Sequence, residues 1–168
     1  MGFKKTSELI AVSFSVTETA PGVFTQSEIA LQLDVLNNEI AVVLAIDLDL
    51  QSPDAVAATN TEFSGSLTTT TQTSVKSLSN TNTLANASKA IRAAGFVDGG
   101  VGFTRTSSST PTGELDYIGL IATNNFFVQV SGDNNLGAKT LAGRCWLYRA
   151  KADSSTYAAL VQSEVLSA

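Results

Sequence analysis

The chain has 168 residues, a net charge of -5, no histidine and one cysteine, and only 15% of its residues are charged. Histidine, cysteine and clustered carboxylates perform most acid–base, nucleophilic and metal chemistry at neutral pH, so the composition predicts a protein that is not an enzyme and has no cofactor. The length and a hydrophobic fraction of 43% fit a single globular domain over residues 1–168.

The first predicted element is a strand near the start of the chain. Ile10, Val12, Phe14 and Val16 alternate with small or polar residues, which is the period of a strand with one buried face. Polar residues such as Glu8 make the same stretch a poor signal-peptide core. No stretch approaches the roughly 18 apolar residues of a membrane span, so we expect no transmembrane segment.

The strongest local pattern predicts a long antiparallel hairpin with one buried face. Two alternating runs flank Asn37 and Asn38, and asparagine tolerates the left-handed conformation that tight hairpins need. Asp47 and Asp49 are expected on the outer face of the second run, which ends before Pro53. The apolar positions are Ile29, Leu31, Leu33 and Val35 in the first run and Ile40, Val42, Leu44, Ile46, Leu48 and Leu50 in the second.

Residues 61–75 are rich in threonine, a β-branched residue typical of strands. Phe63, Leu67 and Val75 anchor the two ends of this run. We expect an exposed or interface strand here.

A short internal helix is predicted over residues 84–94, where the period changes. Asn82 or Thr83 could cap its start, and Gly95 could end it. The residues that recur at helical spacing are Leu84, Ala87, Ala90, Ile91 and Ala94.

The last third of the chain predicts more strands and a C-terminal helix. Residues 115–122 and 126–131 read as a second hairpin, and residues 140–150 read as a long strand. Strand signals also recur at Phe96, Val97, Val101 and Phe103, before a turn-rich loop over residues 107–113. Asp153 can cap a short final helix. The apolar side of that helix would hold Tyr157, Leu160, Val161 and Val165.

About eight short strands without a βαβ rhythm predict a mainly β fold. The expected architecture is an antiparallel β-sandwich, jelly-roll-like, with one short internal helix and a short C-terminal helix. The strand order stays open at this point, since a jelly roll, an immunoglobulin-like sandwich and a barrel share this pattern.

The candidate chemical sites are carboxylate pairs, and none is specific. Asp47 and Asp49 share one face of a strand near Asp54, and such a face could bind calcium; a solvated outer face is the simpler interpretation. Residues 133–135 (Asp-Asn-Asn) could also coordinate a hard cation, although these are ordinary loop residues. We therefore predict no catalytic, cofactor-binding or metal residue.

Three further features receive structural interpretations. Glu114 and Asp116 could form a carboxylate pair for glycoside hydrolysis, but aromatic residues to hold a sugar are few. Cys145 lies in an apolar run and is predicted to be a buried small hydrophobe. Asn86 begins a glycosylation sequon, which we interpret as a chance match.

The C-terminal part of the chain reads LDYIGLIATNNFFVQVSGDNN and then AKTLAGRCWLYRAKADSSTYAALV. A hairpin, an amide-rich loop, a last strand and a terminal helix resemble small single-jelly-roll capsid proteins of icosahedral viruses of archaea and bacteria. The resemblance covers about the last third of the chain and names no site residue. It implies a shell subunit with symmetric contacts. A basic arm is missing, which would fit a genome behind a membrane or another protein layer.

The sequence therefore predicts a structural, self-assembling subunit, most simply a virion capsid or coat protein. Its expected partners are copies of itself and other shell proteins, without direct nucleic acid binding, because the ten basic residues are scattered along an acidic chain. A surface of serine, threonine and asparagine can pack against neighbours without burying unpaired charge. The alternative is an extracellular or cell-surface β-sandwich binding module, such as an adhesin or a carbohydrate-binding domain.

Overall fold

A computed structural model describes residues 2–94, 103–108 and 115–167. Those residues contain ten strands, a short 3-10 helix at Val35–Asn37 and one α-helix. The strands are β1 (Phe3–Lys5), β2 (Ile10–Thr17), β3 (Thr25–Ala30), β4 (Glu39–Leu50), β5 (Thr61–Thr68), β6 (Thr83–Arg92), β7 (Phe103–Ser108), β8 (Gly119–Ile121), β9 (Asn125–Asp133) and β10 (Thr140–Ala152), and the helix is α1 (Ser154–Leu166).

The strands form two antiparallel sheets, which confirms the predicted β-sandwich. Sheet A has the order β1-β10-β4-β8, with β2 beside β1 along the same edge of β10, and sheet B has the order β3-β9-β5-β6-β7. Strands β2 and β10, β3 and β9, β4 and β8, and β5 and β6 pair. Strands β1 and β7 lie outside these four pairs, and the remaining eight strands pair in a nested order, outermost with outermost and innermost with innermost, which is the arrangement of a jelly roll.

The main core fills the space between the sheets. Phe14 of β2 and Phe126 of β9 meet edge to face, with ring centroids 5.7 Å apart, a favourable aromatic geometry. Cys145 is fully buried in this core, as predicted, and burial raises the pKa of its thiol to about 12. The thiol is therefore an unreactive part of the packing.

A β-bulge in β4 divides its apolar residues between two cores. Trp146 of β10 pairs with Ala45, but Leu147 pairs with Val43, so Leu44 is an extra residue in β4. The bulge inverts the alternation at this point. The expectation of one buried face was therefore wrong. Residues on the sandwich side are Ala41, Val43, Ile46, Leu48 and Leu50, whereas Ile40, Val42 and Leu44 lie in the second core, on the opposite face.

The second core lies between the outer face of sheet A and α1. Asp153 caps the helix as predicted, and its carboxylate accepts a 2.7 Å hydrogen bond from the backbone N–H of Thr156. Tyr157, Leu160 and Val161 pack into this core. Val165 is exposed, contrary to the prediction, because Glu164 occupies the next inward position of the helix.

Neither predicted hairpin exists, because each pair of consecutive strands is divided between the sheets. Strand β3 pairs with β9 in sheet B, whereas β4 pairs with β10 and β8 in sheet A. The connection 31–38 crosses between them, with Leu31 and Leu33 buried in the main core and Asn38 in the expected left-handed conformation. Strands β8 and β9 divide in the same way across residues 122–124.

The predicted internal helix is strand β6. It pairs with β5 on one side and β7 on the other, and inward positions such as Ala85 and Ala87 are buried. Helical spacing in a run of alanines is a weak signal, and here cross-strand pairing on both sides overrides it.

The threonine-rich strand is shorter and more buried than expected. β5 ends at Thr68 and lies between β9 and β6 in sheet B, and Thr61, Phe63 and Leu67 are fully buried. Phe103 begins β7 as the strand signal indicated, whereas the predictions for Phe96, Val97, Val101 and residues 109–113 fall outside the described residues. No helix in the described ranges is both long and apolar enough to cross a membrane.

Candidate functional site

Helix α1 covers part of the outer face of sheet A. Elsewhere on that face, side chains of β2, β4 and β10 surround a shallow open groove of about 320 Å³. Small residues, among them Ala142 and Gly143, contribute to its lining. We call this the tryptophan groove, and its polar and aromatic lining consists of Ser13, Asp47, Asp49, Arg144 and Trp146.

Cross-strand pairing sets the geometry of the tryptophan groove. Arg144 lies opposite Ser13 on one side and Asp47 on the other. Its Nε donates a 3.1 Å hydrogen bond to the Ser13 hydroxyl. Its guanidinium carbon lies 6.0 Å from the centroid of the Trp146 ring, which is a cation–π contact.

The sequence correctly placed Asp47 and Asp49 together on an exposed strand face. Their carboxylates, a guanidinium and an indole offer hydrogen-bond acceptors, donors and a flat apolar surface to a ligand. Throughout the described residues, no group of three or more histidine, cysteine, aspartate or glutamate residues is arranged to hold a metal ion. The groove therefore offers polar and aromatic contacts to a polar ligand.

Asp54 does not join this pair. Its Oδ1 accepts a 2.6 Å hydrogen bond from the Lys139 ammonium, and its Oδ2 accepts from the backbone N–H groups of Leu136 and Gly137 at 2.8 and 3.2 Å. The bond to Lys139, supported by these two, holds the pKa of the Asp54 carboxyl below its ordinary value. Asp54 thus ties the β4–β5 connection to the β9–β10 connection.

Glu18 is a second carboxylate in this region, and no local pattern indicated that it is buried. It accepts hydrogen bonds from the backbone N–H groups of Gly22, Gly132 and Lys139, at 3.1, 2.9 and 3.0 Å. These bonds satisfy a carboxylate that is almost fully buried. We interpret its role as fixing the β2–β3 connection in place.

Two of the three cation ligands proposed at residues 133–135 are engaged elsewhere. Asn135 is buried, with its oxygen accepting from the backbone N–H of Asp54 and its nitrogen donating to the carbonyl of Glu62, both at 2.9 Å. Asn134 donates to the carbonyl of Asn60. Only Asp133 is left exposed without such a bond, so this segment holds loops together.

Two candidates remain, the glycosylation sequon at Asn86 and the carboxylate pair of Glu114 and Asp116. Asn86 lies in β6, and its Nδ2 donates a 2.7 Å hydrogen bond to the carbonyl of Lys76, so the glycosylation nitrogen is already used. Glu114 is outside the described residues, and the suggested pair with Asp116 stays a prediction.

A buried polar network holds residues 69–82 over the outer face of sheet B, and we call that segment the strap. Gln129, at the centre, accepts from the hydroxyl of Ser66 at 2.7 Å. Its amide donates to Thr68 Oγ1 at 2.7 Å and to Gln26 Oε1 at 2.8 Å. Ser66 Oγ in turn accepts from the backbone N–H of Lys76 in the strap, at 3.1 Å. Every polar atom of the Gln129 side chain is thereby satisfied.

One end of the sandwich carries exposed large apolar side chains. The connections 31–38 and 122–124 meet there through the backbone N–H of Leu31, which donates to the carbonyl of Asn124. The C-terminal turn of α1 joins them, because Glu164 Oε1 accepts from the backbone N–H of Ala122 at 2.9 Å. We call this the apolar end. Its exposed apolar residues are Val35, Leu36, Val165 and Leu166.

Glu164 itself is buried at the apolar end. Burial raises the pKa of its carboxyl, although the hydrogen bond from Ala122 opposes the shift. Its Oε2 has no hydrogen-bond partner among the described residues. Its helical spacing from Tyr157, Leu160 and Val161 is the one signal that could have placed it inward.

Comparison of the chain with protein-family models, with curated proteins and with solved structures finds no match.

Proposed function

We propose that this chain is a virion coat protein, a structural subunit that assembles with copies of itself into a shell. The observation that carries the proposal is the nested strand pairing, β2 with β10, β3 with β9, β4 with β8 and β5 with β6. Jelly rolls of this kind form viral capsids. The same fold also occurs in lectins, so the fold alone does not distinguish a coat protein from a sugar-binding protein. The distinction depends on the surfaces of this chain.

The apolar end supports assembly. Leu36 is 92% exposed and Leu166 is 76% exposed, and these side chains would gain free energy by burial against a neighbour. These side chains lie on segments that meet at one end of the fold, and exposed apolar groups on one part of a surface are typical of interaction sites. Few residues of the chain are charged. Close packing of copies would therefore remove few charged side chains from water, which keeps the desolvation cost of assembly low.

Electron microscopy and light scattering of the purified protein test this proposal, with a double variant, Leu36→Ser and Leu166→Ser. We expect regular particles from the unaltered protein and strongly reduced assembly from the variant, at an unchanged Tm. Leu136→Ser is the matched control, since Leu136 is also exposed but lies in the β9–β10 connection. A monodisperse monomer at high concentration, without ordered particles, would overturn the proposal.

The tryptophan groove favours a second candidate, an extracellular or cell-surface module that binds a saccharide. An indole face beside carboxylates and a guanidinium could stack on a sugar ring and hydrogen-bond its hydroxyl groups. Screening against a panel of immobilised glycans would show saturable binding that Trp146→Ala abolishes and Leu136→Ser preserves. Glycan binding by a protein that stays monomeric would favour this function over the coat protein.

A further inference from the structure

Five strands form the edges of the two sheets in the described part of the chain. Sheet A ends at β1 and β2 on one side and at β8 on the other, and sheet B ends at β3 and β7. One side of each edge strand presents backbone N–H and C=O groups to solvent or to a partner. Natural proteins usually protect such edges with short strands, charges, prolines or bulges, since an unprotected edge pairs with other strands.

Four of these strands have a protective feature. β1 and β8 have only three residues each, and β3 and β7 include a charged residue in their sequences, Glu28 and Arg105 respectively. β2 has none of these features: its eight residues, IAVSFSVT, include no charge and no proline. Its pairing with β10 runs without a register shift from Ile10 opposite Leu147 to Thr17 opposite Thr140, so no bulge bends this edge away.

We propose that β2 pairs in antiparallel orientation with β2 of a second copy of this chain, joining two copies of sheet A into one continuous sheet. This inference rests on the proposed assembly and identifies one of its contacts. Eight residues are enough for a complete strand pair, since strands in globular proteins are commonly five or six residues long.

The sequence of β2 favours a second copy as its partner. Antiparallel pairing about a two-fold axis sets residues of the same face opposite each other, so any charge on that strand would lie close to its own copy. The outer residues of β2 carry no charge, and all are small. They are Ala11, Ser13, Ser15 and Thr17.

The neighbouring strand limits the length of the pair. β1 occupies the same edge of β10 further along and contains Lys4 and Lys5. A symmetric pair extended through β1 would bring four lysines into the new contact, which like-charge repulsion disfavours. We therefore confine the pairing to residues 10–17.

Sedimentation velocity of a lysine variant tests this contact. Ala11→Lys with Ser15→Lys changes two exposed side chains that make none of the hydrogen bonds assigned above. We expect the dissociation constant for self-association to rise about tenfold or more, because each lysine lies opposite or diagonal to a lysine of the second copy in the symmetric pair. Thr104→Lys with Thr106→Lys is the matched control, since these residues are exposed on the edge strand β7.

Amide hydrogen exchange on the unaltered protein gives a second measurement that does not depend on the variant folding. Protection in residues 10–17 should rise with protein concentration, while protection in β3, another edge strand, should stay constant. Two results together would overturn the β2 contact: equally strong association of the Ala11→Lys, Ser15→Lys variant, and hydrogen exchange in β2 that does not change with concentration. The coat-protein proposal would still stand. A chain that stays monomeric at every concentration would overturn both.

Discussion

The ammonium of Lys139 lies 2.6 Å from a carboxylate oxygen of Asp54. The lysine side chain is only 8% exposed, and the aspartate also accepts two backbone hydrogen bonds. Two connections that are 85 residues apart in sequence are thereby joined. Removing the carboxylate would leave the buried ammonium of Lys139 without its partner, which is a larger penalty than losing a surface ion pair.

We expect Asp54→Asn to lower the Tm at pH 7 and to have little effect in strong acid. The pKa of Asp54 is lower in the folded protein than its ordinary value of 3.8. Its contribution to stability is therefore complete above pH 3.8 and is lost as the pH falls through the folded pKa. Thermal denaturation of both proteins between pH 2 and pH 7 measures the difference. A difference in Tm that persisted unchanged to pH 2 would contradict this account.

Glu164→Gln should have the opposite pH dependence. Burial raises the pKa of Glu164 in the folded protein above its ordinary value of 4.5, so ionisation opposes folding. That penalty is absent below pH 4.5 and grows as the pH rises through the folded pKa. We therefore expect the variant to have a higher Tm than the unaltered protein at pH 7 and a similar Tm at pH 4. Asp133→Asn, at an exposed carboxylate, is the control that should change neither value.

Gln129→Ala should release the strap. The substitution removes three hydrogen bonds of a fully buried side chain, and we expect the free energy of unfolding to fall by about 2–3 kcal/mol. Trypsin should then cut faster after Lys76, which the Ser66 hydroxyl holds in place. Ser64→Ala is the control, since it removes a single 3.3 Å bond. Equal cleavage rates in the two variants would contradict the idea that the Gln129 network holds the strap in place.

Two glycine substitutions should act in opposite directions. A Cβ at Gly143 would lie 2.5 Å from the Phe14 ring and 2.9 Å from the carbonyl oxygen of Asp47, so Gly143→Ala should destabilise the fold by about 1–3 kcal/mol.

A Cβ at Gly137 would meet nothing within 4 Å. Gly137→Ala should therefore raise the free energy of unfolding by about 0.4–1 kcal/mol, through the unfolded chain. Urea denaturation of both variants measures these changes.

Local alternation was enough to predict β2, β10 and the outward position of Asp47 and Asp49. The capping of α1 by Asp153 was equally local, because the cap and the N–H that it binds are three residues apart. These features depend on neighbouring residues, which a sequence displays directly.

Strand pairing was not predictable in this way. Alternation in residues 28–36 and 40–50 shows that both runs have a buried side, but each could bury it in either sheet. The choice depends on β9 and β10, which follow much later in the chain. The same limit applies to the candidate site, where Arg144 meets Ser13 and Asp47 only because β10 lies between β2 and β4. Buried polar residues such as Glu18 and Gln129 are satisfied by distant partners and leave no local pattern.

The extra residue in β4 marks the place where this strand tolerates a change of length. Loss of Leu44 would close the bulge and keep Ile46, Leu48 and Leu50 in the sandwich, because Val43 and Ile46 already face the same core on either side of the bulge. Loss of a single residue between Ile46 and Leu48 would instead turn Leu48 and Leu50 outward and direct Asp49 into the sandwich. Length variation within β4 should therefore be confined to the bulge, and the rest of the strand should vary by substitution.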